Sequence, residues 1–92
     1  MFKPNPKAQV ELKFRELFGR DHKPTVTGSR LSTAEARRRG MRCTTRDGLY
    51  VTELFVDGTL LATAAHADWR KSYKTLKLEV EKLFADGMTV QG

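Results

Sequence analysis

Two Asp-Gly dipeptides, Asp47-Gly48 and Asp57-Gly58, stand ten residues apart, and they constrain the fold more than any other feature of the chain. A type I′ turn needs positive φ at both central residues, and Asp-Gly meets that need at low cost. The two dipeptides separate three strand-like runs, Met41–Arg46, Leu49–Val56 and Thr59–His66. The pattern predicts a three-stranded antiparallel meander. With two-residue loops its register follows: Phe55 opposite Leu60, Leu54 opposite Leu61, Thr45 opposite Tyr50 and Arg42 opposite Glu53. Met41, Cys43, Tyr50, Leu54, Val56, Leu61 and Ala65 then share one face. Leu49, Val51, Phe55, Leu60, Ala62 and Ala64 share the other with Arg42, Arg46, Glu53 and His66. Both faces are more apolar than a sheet wetted on one side tolerates, so each needs cover.

That cover comes from helices. Trp69, Tyr73, Leu76, Val80, Leu83 and Phe84 recur at helical spacing, which predicts a long helix from about Trp69 to Ala85, capped by Asp68 and stopped near Gly87. Asn5-Pro6 is a good helix start and Gly19 a stop, and between them Val10, Phe14, Leu17 and Phe18 lie on one face. Ser32-Thr33-Ala34-Glu35 has the form of a capping box and opens a short helix that Gly40 closes. Arg20 to Leu31 is polar, carries Pro24 and Gly28, and reads as an irregular connection; Met88 to Gly92 reads as a frayed tail. The fold class is α+β: an N-terminal helix, a short second helix, a three-stranded antiparallel β-meander and a long C-terminal helix packed on the sheet, in one domain over 1–92. Both long helices are expected to share one sheet face, which leaves Phe55 and Leu60 on an exposed apolar patch.

At 92 residues the chain has room for one hydrophobic core. No apolar run approaches the roughly 20 residues that span a bilayer, and the N-terminus lacks a signal-peptide stretch. A soluble cytoplasmic protein with no membrane partner is expected. Cys43 stands alone and cannot form an internal disulfide, and its place in an alternating run makes it a buried thiol rather than a nucleophile. With only His22 and His66 beside it, no metal or other cofactor is expected. His66 reads as a surface or capping residue, and Trp69 and Tyr73, which could stack on bases, read as core from their spacing. There is no Gly-rich phosphate loop and no patterned nucleophile and base, so the chain reads as a binding protein without a small-molecule substrate, not an enzyme.

Charge locates the binding surface. Residues 1–46 carry 12 Lys and Arg against 4 acids, and residues 47–92 carry 5 against 7, so the net +6 is a +8 half and a −2 half. Arg30, Arg37, Arg38, Arg39, Arg42 and Arg46 are opposed in their span only by Glu35. Guanidinium forks pair with phosphate, which suits a nucleic-acid backbone or an acidic protein surface. Arg70, Lys74 and Lys77, with Lys71 beside them, add a basic stripe to the start of the last helix.

The segment Arg70-Lys71-Ser72-Tyr73-Lys74 is similar to the Lys-Lys-x-Ala-Lys phosphate clamp of the double-stranded-RNA-binding domain, with Arg70, Lys71 and Lys74 at the basic positions and Tyr73 where that family has a small residue. The order helix, three antiparallel strands, helix resembles that family too, and the resemblance implies a stand-alone nucleic-acid-binding protein. In size, basicity and build the chain also resembles small phage anti-CRISPR proteins. That resemblance implies the leading expectation, an inhibitor that docks its basic surface on a ribonucleoprotein, a crRNA-guided surveillance complex, and blocks target DNA binding, with the stand-alone nucleic-acid-binding protein as the alternative.

Overall fold

The computed structural model describes residues 5–43 and 46–87. Helix α1 (Pro6–Phe18) is followed by strand β1 (Pro24–Leu31), the short helix α2 (Thr33–Arg38), strands β2 (Leu49–Val56) and β3 (Thr59–His66), and helix α3 (Trp69–Ala85). The three strands form one antiparallel sheet in the order β1-β2-β3. The architecture is therefore the expected α+β arrangement.

The helix ends obey local chemistry. The Asn5 side chain accepts the Ala8 N–H at 2.7 Å, Ser32 accepts that of Glu35 at 3.1 Å, and Asp68 accepts that of Arg70 at 2.9 Å. Gly40, at φ 78°, closes α2 with paired bonds from Gly40 N–H to the Arg37 carbonyl and from Met41 N–H to the Ala36 carbonyl. The Glu35 carboxylate, which a full capping box turns back to the helix start, goes to Arg38 at 3.3 Å and Arg39 at 3.4 Å.

The long helices share one face of the sheet. Val10 and Phe14 of α1, Tyr73, Leu76 and Val80 of α3, and Val26, Leu54, Val56 and Ala64 of the strands form a single buried cluster. α1 packs on β1, and α3 on β2 and β3. The two helices lie side by side and run the same way, since α1 begins beside Arg70 and Tyr73, Lys13 reaches Glu81 at 3.8 Å, and Phe18 meets Phe84 edge-on at 5.5 Å. Leu60, on the opposite face, is 48% exposed. Beneath α3 the hydroxyl of Ser72 donates to the Ala64 carbonyl at 3.3 Å and lies 3.0 Å from the Thr52 hydroxyl. Both residues are fully buried, so this polar pair fixes the rotation of α3 on the sheet.

Three expectations are corrected. The first strand is Pro24–Leu31, inside the supposed irregular connection; Met41 to Cys43 lie outside any strand, and Thr44 and Thr45 fall outside the described residues. Arg42 therefore does not face Glu53, which pairs with Thr27 and Thr63, and Tyr50 pairs with Arg30 and His66. Asp47-Gly48 is consequently not a hairpin loop, whereas Asp57-Gly58 is, with Asp57 at φ 51° and Gly58 at φ 87°. Finally, Phe55 does face Leu60, but Leu54 faces Ala62, because a β-bulge leaves Leu61 as an extra residue on β3. That one residue moves Ala62 and Ala64 onto the face covered by the long helices and sends Ala65 to the opposite face beside Val51, which is itself buried. The expected tail, Met88 to Gly92, lies outside the described residues.

Candidate nucleic-acid interface

The antiparallel order brings the end of β1, the start of β2, the end of β3 and the start of α3 to one end of the molecule. The segment between β1 and β2, residues 32–48, is inserted there. It carries Arg37, Arg38, Arg39, Arg42 and Arg46, all exposed. Two features hold it. Gly48 has φ 78°, and a Cβ there would run into the Leu31 carbonyl, so the returning chain lies flat on the end of β1. The Arg30 guanidinium bonds the Asp47 carbonyl at 3.1 Å and the Ala67 carbonyl at 3.3 Å, and stacks 5.7 Å from the centre of the Tyr50 ring. Arg30, expected as a partner contact, is thus a brace that ties the insertion to the approach to α3.

Arg70, Lys74 and Lys77 line a groove of about 290 Å³ between α3 and the first turns of α1, together with Pro6, Gln9, Val10 and Tyr73. Among the described residues three cations and no carboxylate border it. Lys71 is exposed on α3 outside the groove. Buried Ser72 explains this display: with its hydroxyl pinned to the sheet, its neighbours on the helix surface turn outward. A second, wider hollow of about 820 Å³ lies at the other end of the molecule, but there Arg15, Arg20 and Lys23 are matched by Glu16, Asp21 and Asp57. His22 also pairs with Asp57 at 2.9 Å in it. Its balanced charge does not select a polyanion.

Tyr73 forms the wall of the basic groove. Its hydroxyl lies 3.3 Å from that of Tyr50, and burial, then this hydrogen bond, pushes its ionisation up to about 12. The bulky residue fits because Gly28 of β1 lies across from both phenols; a Cβ there would stand 2.5 Å from the Tyr50 hydroxyl and closer still to that of Tyr73. The small residue is on the strand instead of the helix.

Of the ten residues expected at the surface, the structure brings Arg70, Lys74 and Lys77 into one groove, and places Arg37, Arg38, Arg39, Arg42 and Arg46 on the insertion that Arg30 ties to the Ala67 carbonyl ahead of α3. Arg38 and Arg39 share their charge with Glu35. Gln9 and Pro6 were not legible as site residues, because they enter the groove from another helix. Trp69, expected in the core, is 40% exposed. Cys43 is buried as expected, and the His66 imidazole accepts the Asp68 N–H at 3.0 Å, a capping role. Among the described residues no group of His, Cys, Asp and Glu is placed to hold a metal, and no helix is long and apolar enough to cross a membrane. No protein-family model, curated protein or solved structure matches the chain.

Proposed function

We propose that this protein is a non-enzymatic nucleic-acid binder that grips the phosphates of a duplex, RNA in the first instance, at its basic end. The observation that carries this is the groove between α1 and α3, whose charged lining among the described residues is Arg70, Lys74 and Lys77. A concave, carboxylate-free row of cations at i, i+4 and i+7 suits a backbone of regularly spaced phosphates. The element order supports the duplex. With β1 at Pro24–Leu31, the chain runs helix, strand, strand, strand, helix apart from the short α2, with both long helices on one face, and the arginine insertion that holds α2 stands where the double-stranded-RNA-binding domain has its first hairpin loop.

A second reading rests on the open sheet face. Leu60 there is 48% exposed beside a partly exposed Phe55, an apolar contact that suits a protein surface better than bare nucleic acid. On that reading the protein is an anti-CRISPR inhibitor acting in a host cytoplasm, docked on a crRNA-guided surveillance complex.

Equilibrium binding to naked RNA and DNA duplexes across a salt series tests the first reading. Affinity should fall steeply with salt, with a log–log slope of about −0.9 per phosphate neutralised on DNA. Arg70→Glu/Lys74→Glu/Lys77→Glu should flatten the slope, and Arg37→Glu/Arg38→Glu/Arg39→Glu should measure the share of the insertion. Absence of salt-dependent binding to any duplex sinks the first reading, and tight capture by the nucleoprotein alone favours the second.

A further inference from the structure

Trp69 is the single tryptophan of the chain and the first residue of α3. Its spacing to Tyr73 and Leu76 puts it in line with the core, yet it is 40% exposed while Tyr73 is 7% exposed. The cause lies one turn on. Tyr73 fills the space over Gly28 and Tyr50, and β3 ends at His66, so the sheet has no further residue to receive the indole. Trp69 rests instead against the Tyr73 ring, perpendicular to it at 6.2 Å, with the Arg70 guanidinium 5.2 Å from its centre. A large flat ring is thus held in contact with solvent beside a cation that lines the basic groove.

We propose that Trp69 is a stacking platform for an unpaired nucleobase adjoining the duplex held in the groove; this rests on the nucleic-acid reading above. Exposed aromatic rings next to cations take bases in this way, since every base has a π-face and its own phosphate lies within reach of a neighbouring positive charge. Arg70 supplies that charge: its stacking on the indole is an exposed cation–π contact, weak enough to exchange for a phosphate when the base arrives. The preferred ligand is therefore a duplex with a single-stranded extension or loop, and a blunt duplex engages only the groove.

Trp69 also supplies the readout, since all tryptophan fluorescence comes from the site. The full chain is titrated with a blunt RNA duplex and with the same duplex carrying a few unpaired adenosines at one 3′ end, following both fluorescence and affinity. The extension should quench Trp69 and tighten binding about 5- to 150-fold, the range that one stacked base contributes. Trp69→Ala should lose that gain and keep its affinity for the blunt duplex, and Trp69→Phe should retain part of it. Equal affinity for the two RNAs without quenching overturns the platform and leaves the groove intact, as does an equal loss on both RNAs in Trp69→Ala. Failure of the wild type to bind either RNA at low salt overturns the nucleic-acid reading itself and the platform with it. The quench in the wild-type protein does not depend on any variant folding.

Discussion

Replacing Gly28 with alanine tests whether the two phenols really hold α3 on the sheet. The new methyl carbon would lie 2.5 Å from the Tyr50 hydroxyl, 2.8 Å from its Cε1 and nearer still to the Tyr73 hydroxyl, where ordinary contact begins at 3.4 Å. Both hydroxyls must withdraw by about 1 Å. Tyr73 cannot do so alone, because it is buried between Tyr50 and Trp69 and carried on a helix pinned through Ser72. Overpacking of this kind costs about 1–3 kcal/mol, and loss of the hydrogen bond between the phenols adds about 1 kcal/mol. The lower backbone entropy of alanine in the unfolded chain returns about 0.5–1 kcal/mol. The net is a loss of about 1–3 kcal/mol. In urea denaturation, with m of about 1–3 kcal/mol/M, the midpoint should drop by something on the order of 1 M. The same substitution in a Tyr50→Phe/Tyr73→Phe background removes the two nearest hydroxyl atoms, and its cost should shrink by half or more, a coupling read from the double-mutant cycle. An alanine variant as stable as the wild type would refute the argument. So would an equal cost in both backgrounds.

Arg30→Met removes the bonds to the Asp47 and Ala67 carbonyls while keeping an apolar stem over Tyr50. Because Arg30 is exposed, the stability loss should be about 1 kcal/mol or less, but hydrogen exchange around Asp47 and Ala67 should quicken with α1 unchanged. Stability should also depend on pH at both extremes. Asp57 is held below the ordinary aspartate value by hydrogen bonds from His22 and from the Lys23 N–H. The stability it contributes is present above its unfolded value of 3.8 and is lost as the pH falls through the lowered folded value; Asp57→Asn should remove this acid limb from a series of urea midpoints. Tyr73 is raised, so its contribution is full below 10.0 and is lost as the pH climbs toward about 12, and Tyr73→Phe should flatten that alkaline limb.

The misread segments share a cause. In Thr25-Val26-Thr27 the β-branched residues signal a strand, but Gly28 beside them reads as a breaker. Gly28 is there because Tyr50 and Tyr73, 22 and 45 residues further along the chain, occupy the space of its side chain, and no local pattern conveys that. Asp47-Gly48 has the same local chemistry as Asp57-Gly58, yet β2 pairs backward with β1 across the whole insertion, and Gly48 serves to pass beneath the Leu31 carbonyl. The bulge at Leu61 is invisible for a similar reason. The run Leu60-Leu61-Ala62 is apolar throughout, so alternation alone cannot say which residue is extra.

What the sequence by itself determined is everything governed within a few residues. The caps at Asn5, Ser32 and Asp68, the stops at Gly19 and Gly40, the Asp57-Gly58 hairpin, the extents of the helices and the exposure of the cations all follow from neighbouring atoms. The tertiary structure alone decided which segment became the first strand, and that Arg70, Lys74 and Lys77 meet the first turns of α1 in one groove while Trp69 is left in solvent. Those outcomes depend on long-range packing, in which a glycine, two phenols and a buried Ser–Thr pair set how α3 sits on the sheet.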